Sequence, residues 1–231
     1  KMDYFSAAVL EASKLIISFD YELYIIVWTS LKISLAAITI ASLFCLPLGL
    51  LIAHKTFIGK QLLQSILNTL MALPTVVVGL LLYGILSRQG PLGGWGILYT
   101  QTAMVIGQCV LIFPIILNLV IAAANSADPR IRTTCMALGA SNFQQGVIFI
   151  NEIRFAVMAA IFAGFGRAIG EVGIAMMVGG NIQGYTRTMT TAIALETSKG
   201  EFEFGLALGI LLLIVAFIVN GLLQKFQGLN K

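Results

Sequence analysis

Along this chain, long apolar runs alternate with short polar breaks, and the spacing of the two predicts the elements. Over 4–19, "YFSAAVLEASKLIISF", apolar side chains fall at 5, 8, 9, 12, 15, 16 and 19, a helical spacing on one face. Ser6, Glu11, Ser13, Lys14 and Ser18 lie elsewhere. This run is too short and too charged to span a bilayer, so an interfacial helix is expected. Five later stretches reach the roughly 18 apolar residues that mark a membrane span. They cover about 23–53, 62–87, 102–124, 146–180 and 204–224, with Pro47, Pro74 and Pro114 inside the first three. Polar or turn-rich breaks separate them, including "HKTFIGKQ", "SRQGPLGGWGILYTQ" and the polar 181–203. The pattern predicts an all-α polytopic membrane protein, one domain over 1–231.

One break carries more local signal than a connection needs. In "DPRIRTTCMALGASNFQ", Asp128 suits an N-cap and Pro129 the first helical position. A helix of about two turns over Ile131 to Leu138 follows, and Gly139 stands where a left-handed C-terminal cap is wanted. Ser141 and Gln144 have capping-box spacing, so a second helix starts there and runs into the membrane. Ile131, Cys135 and Leu138 form a small apolar stripe beside Arg130 and Arg132, which reads as a docking knob over 129–142.

Composition narrows the function. Only 10% of the 231 residues are charged and 58% are hydrophobic, whereas a soluble domain carries roughly 25% charged residues. One membrane domain uses the whole length, with no room for a soluble catalytic domain. Cys45, Cys109 and Cys135 are scattered and His54 stands alone, so no metal site is expected. The net charge of +4 reflects basic loops and is not a nucleic-acid signal. The N-terminal run lacks a cleavage-like end, and no cleaved signal peptide is expected. Lys55, Lys60, Arg130, Arg132, Arg154, Lys225 and Lys231 gather on one side, which is therefore expected to be cytoplasmic, with the N-terminus outside.

Within the membrane runs, "GFGRAIGEVG" sets Arg167 and Glu171 four residues apart on one helix face, with Gly170 between them. Charges at such depth face protein or water. The pair either borders a path for an anion or fixes helix packing. Thr75 beside Pro74 offers a hydroxyl to an anion or to its own backbone. No nucleophile, acid–base set or metal cluster accompanies them, so no catalytic residues are assigned and an intramembrane enzyme is disfavoured. No GxxxxGK[ST] motif is present, so any ATP must be hydrolysed elsewhere. An ion-driven secondary transporter is the other alternative.

"ALGASNFQ" with the helix after it resembles the cytoplasmic loop of binding-protein-dependent ABC importer permeases. Aligned on Gly139, that family's EAA positions fall on Thr133, Thr134 and Cys135, and its closing I-x-L-P on Phe149 to Glu152. The carboxylate, the leucine and the proline are absent here. "PLGLLIAHKTFIGKQLL" (47–63), "LPTVVVGLLL" (73–82), "GPLG" (90–93) and "GRAIGEVGIAMMVGGNIQGYTRTMTTAI" (166–193) are similar to molybdate and tungstate permeases, the tungstate type above all. The resemblance implies a type I importer fold in the cell inner membrane. It implies ATPase coupling through Ile131, Arg132, Thr133, Thr134, Cys135, Leu138, Gly139, Ala140 and Ser141. Thr75, Arg167, Gly170 and Glu171 would line the path or the dimer interface. The implied partners are a second copy, an ATP-binding subunit that uses ATP and Mg, and an external oxyanion-binding protein docking on 88–101 and 181–203. The chain itself would bind no cofactor.

Overall fold

The computed structural model describes residues 4–55, 57–128 and 130–228. Eleven α-helices and a 3-10 turn order them. In chain order the helices are α1 (Tyr4–Ile17), α2 (Tyr21–His54), α3 (Lys60–Met71), α4 (Thr75–Leu86), α5 (Gln101–Ser126) and α6 (Arg130–Ala137). They continue as α7 (Asn142–Glu152), α8 (Arg154–Ile169), α9 (Gly173–Gly179), α10 (Met189–Lys199) and α11 (Phe202–Gly228). The 3-10 turn, Gly93–Trp95, lies between α4 and α5.

Three helices, α2, α5 and α11, are each long and apolar enough to cross a membrane alone. Two further crossings are bent pairs. The expected span over 62–87 is broken by 97° between α3 and α4, and that over 146–180 by 74° between α7 and α8. Pro74 explains the first. It has no N–H to give, and it drives Leu73 out of the helical region. Pro47 and Pro114, by contrast, stay inside unbroken helices. The 146–180 stretch stops again at Gly170 before α9 begins at Gly173. The polar 181–203 stretch is not simply a loop. It holds α10, opened by a Thr188–Thr191 capping box and closed by Gly200 in the left-handed region at φ 86°.

The core is built around α5, which packs on α2, α3, α4, α8 and α9. Ile33, Ile38, Met104, Ile112, Ile116 and Val120 are buried along that contact. Cys45 and Cys109 sit in it as small packing residues, each thiol donating to a carbonyl of the facing helix, Phe113 and Ala37 respectively. The N-terminal helix α1 packs on α11 through Ala8 and Ala12, both buried. Trp28 is 65% exposed on α2, and Lys32 is exposed one turn further in. An aromatic ring and a long cation at one level mark a membrane boundary. The far face of α11, with Leu213, Phe217 and Ile218 exposed, is left for lipid.

Helices α4 and α9 approach closely at Gly79, where an added Cβ would lie 3.1 Å from the Ile174 Cα and 3.1 Å from the Met177 Cβ. A backbone atom cannot step aside. Gly79→Leu is therefore expected to destabilise the detergent-solubilised protein by about 1–3 kcal/mol. Gly84→Leu, where a Cβ meets open space, is expected to leave thermal unfolding unchanged.

Candidate functional site

The elbow between α3 and α4 meets the chain where the 146–180 stretch stops at Gly170 and restarts as α9. An added Cβ at Gly173, the first residue of α9, would lie 2.8 Å from the Thr75 Oγ1 and 3.1 Å from the Val76 N. The start of α9 therefore rests directly on the start of α4. Thr75, Gly170 and Glu171 belong to this junction, and Arg167 reaches it through Glu171.

Glu171 holds the junction together. Its side chain is 1% exposed and accepts from Arg167 Nη1 at 3.2 Å through one oxygen. The other oxygen accepts the Ile174 N–H at 2.9 Å, which satisfies an orphan donor at the start of α9. Its backbone carbonyl accepts from Thr190 Oγ1 on α10 at 2.7 Å. One residue thus ties α8, α9 and α10. Arg167 remains 38% exposed on its side chain, with further N–H groups available outside the pair. A guanidinium on a spanning helix does not face hydrocarbon, so this face belongs to water or to protein.

Gln108 is a member that sequence reasoning missed. Its amide Nε2 donates at 3.1 Å to the Ala168 carbonyl, which at the end of α8 also accepts the Glu171 N–H at 3.2 Å. The only signal was an amide in the middle of "MVIGQCVLIFP". Arg187 is a second. It is 11% exposed on its side chain, 3.4 Å from Glu22 and 3.8 Å from Glu196, and so clamps the segment before α10 to α2. The turn-rich break before α5 joins α9 through Tyr99 N to the Val178 carbonyl at 2.8 Å, and that same segment through Gln101 Nε2 to the Tyr185 carbonyl at 2.7 Å. The hydrogen bond with Tyr83 raises the Tyr99 phenol pKa above its ordinary value, and desolvation adds to it.

The second candidate region is the capped knob. Asp128 Oδ1 accepts the Arg130 N–H at 2.8 Å, and Gly139 takes φ 73° as the left-handed cap, with Ala140 N donating to the Cys135 carbonyl. Ser141 and Gln144 form a capping box that opens α7. Pro129 and the side chains of Ile131, Arg132 and Thr133 lie outside the described residues. The apolar stripe is not one exposed face, because Cys135 is buried at 7% while Leu138 is 80% exposed. Met136 and Phe143 are also exposed there, with Thr134 and Ser141 exposed beside them. From the end of α7 into α8, Phe149, Ile153 and Val157 pack with Ala123 and Ala124 of α5 in a small cluster separate from the main core. The Phe149 ring also meets His54 at the end of α2 edge-on, centroids 4.6 Å apart.

Residues 45–227 match the family of binding-protein-dependent transport system inner membrane components. The chain belongs to this family. It is 38% identical to a tungstate uptake system permease of Peptoclostridium acidaminophilum, over 98% of this chain and 99% of that one. To the tungstate uptake system permease of Campylobacter jejuni it is 36% identical, over 98% and 95%. The molybdenum transport system permease of Escherichia coli is 30% identical over 75% of this chain and 82% of its own. A crystal structure of an amino acid ABC transporter shares the fold, with a TM-score of 0.67 at 17% identity over 98% of both chains. The permease therefore has a type I importer fold and is a multi-pass transport subunit of the inner membrane, not an enzyme. Its family implies a substrate-binding protein and an ATP-hydrolysing subunit as partners.

Arg167→Gln leaves the buried Glu171 carboxylate with a single hydrogen bond, and is expected to destabilise the permease by about 2 kcal/mol. Arg167→Gln with Glu171→Gln keeps an acceptor for the Ile174 N–H and is expected to recover most of that loss. Thermal unfolding of the two detergent-purified variants against the parent checks this.

Proposed function

We propose that this permease carries a tetrahedral oxyanion, tungstate or molybdate, into the cytoplasm by alternating access. The observation that carries this reading is its likeness, along nearly the whole chain, to permeases of tungstate uptake. The geometry supports it. Interrupted helices that meet at bilayer depth are where membrane transporters hold ions and anions, and Arg167 at the junction is half neutralised by Glu171. A fully unpaired cation there would hold a dianion too tightly to release it.

In this reading two copies of the chain flank a central route bordered by Thr75, Arg167, Gly170 and Glu171, since five crossings are few for a complete pathway. The side of the membrane bearing Lys55, Lys60, Arg130, Arg154 and Lys225 is cytoplasmic. The N-terminus is outside and the C-terminus inside. The knob from Ile131 through Ser141 seats in the ATP-binding subunit, which holds the ATP and Mg; this chain binds no cofactor of its own. Contact runs through Leu138 and Met136 rather than the buried Cys135. Motion passes along α7 through Phe149 to α5 and α2. On the outer side, the joined segments 88–101 and 181–203 receive the oxyanion-binding protein, with Trp95, Ile182 and Tyr185 exposed on them.

Two outcomes are expected. ATP hydrolysis by the co-purified complex with its binding protein rises with tungstate or molybdate and not with sulfate; a rise with sulfate alone contradicts the assignment. Leu138→Asp lowers uptake by about tenfold or more, as loss of a central contact residue does, while thermal unfolding stays unchanged because the side chain is exposed. Parent-like uptake by this variant in proteoliposomes rejects the contact.

A further inference from the structure

One helix of the permease has a composition that its place in the membrane does not explain. α3 runs "KQLLQSILNTLM", and its polar residues fall at 61, 64, 65, 68 and 69. At helical spacing these share one face, with Leu63, Leu67 and Leu70 on the other. Gln61, Ser65, Asn68 and Thr69 are all exposed, and Leu67 is buried against α5.

The depth of α3 follows from its contacts. Lys60 Nζ donates to the Ala53 carbonyl at 2.8 Å, so α3 begins level with the end of α2. Near its other end, Asn68 Oδ1 accepts from Asn118 Nδ2 of α5 at 2.6 Å, and the Met71 sulfur lies 3.2 Å from the same nitrogen. Asn118 lies eight residues before Ser126, or roughly 12 Å inside the end of α5 at 1.5 Å per residue. α3 therefore climbs from the membrane surface on the α6 side to the elbow at Pro74. Its amides and hydroxyls are carried into the hydrocarbon layer, where exposed polar groups are not left facing lipid.

We propose that the Gln61–Ser65–Asn68–Thr69 face of α3, with Asn118, is the wall of the route between the junction and the cytoplasm, and that it carries the oxyanion past uncharged hydrogen-bond donors. This rests on the proposed importer function and names the part of the route that α3 forms. The chemistry fits an oxyanion in transit. Gln61 and Asn68 each offer two amide N–H donors and Ser65 one hydroxyl, while the Thr69 hydroxyl donates to the Ser65 carbonyl at 2.9 Å and Asn118 holds Asn68 in place, so a dianion leaving Arg167 is solvated by uncharged groups. Lys60 at the mouth is occupied by the Ala53 and Lys55 carbonyls. Weak, repeated sites of this kind favour release over capture.

The test uses the complex with its ATP-binding subunit in inside-out vesicles, and a membrane-impermeant anionic methanethiosulfonate as probe. Gln61→Cys, Ser65→Cys and Asn68→Cys are expected to react at least about tenfold faster than Leu62→Cys and Ile66→Cys, because only a thiol in water ionises readily. Ser65→Asp is expected to lower tungstate uptake about tenfold through like-charge repulsion, with the ATP-binding subunit still bound, while Ser65→Asn, which keeps uncharged donors, retains more uptake than Ser65→Asp. Equal labelling of the two faces overturns the proposal. So do unreactive polar-face cysteines that form disulfides between two copies, and so does parent-like uptake by Ser65→Asp. Labelling does not depend on the cargo, so a parent complex whose ATP hydrolysis ignores every oxyanion defeats the importer reading alone.

Discussion

A backbone N–H at bilayer depth finds no water, so a membrane chain can interrupt a helix only where protein supplies the missing partner. Glu171 is that partner here. One carboxylate oxygen closes the start of α9 and the other holds Arg167, while the backbone carbonyl is tied to α10. Gln108 does the complementary work on the carbonyl side by donating to Ala168. With both ends satisfied, α8 and α9 can part at Gly170 within the membrane. The start of α9 can then press against the start of α4 with only a glycine between them.

Within the Arg167–Glu171 pair the two side chains stand in different surroundings. Glu171 is buried and bonded on three sides, which is a packing role. Arg167 keeps more than a third of its side chain exposed, which leaves it a face toward water or a partner. The surroundings of α10 are organised by the same economy of charge, with Arg187 between Glu22 and Glu196, and Lys199 3.1 Å from Glu196.

What the sequence made legible was local. Asp128, Gly139, Ser141 and Gln144 announce their caps because capping depends on residue type at a fixed offset, and the structure has each of them in place. Apolar runs locate crossings because burial in lipid depends on summed hydropathy. The breaks at Ile153 and Gly170 stayed hidden because hydropathy does not register a change of backbone direction inside an apolar run. α10 stayed hidden because its threonines and Glu196 read as loop chemistry, although most of them are buried against α2 and the junction. Cys135 and Leu138 looked like one stripe because they lie only about 60° apart around a helix of 3.6 residues per turn. The edge between core and solvent runs between them, and no periodicity marks which way that edge falls.

The small cluster beneath α7 sets how freely the knob can rock. Phe149, Ile153 and Val157 rest on Ala123 and Ala124, two methyl groups on an otherwise smooth stretch of α5. A bearing of this kind resists separation more than sliding. Uncovering about 40 Å² of it costs about 1 kcal/mol, a small fraction of the energy of a hydrolysed phosphoanhydride. The main crossing is of another order, since Ile33, Ile112 and Ile116 are fully buried there in a large close-packed cluster. The permease is thus stiff where its helices cross and more lightly held under α7, so that a displacement of α6 would tilt α7 before it strained the bundle.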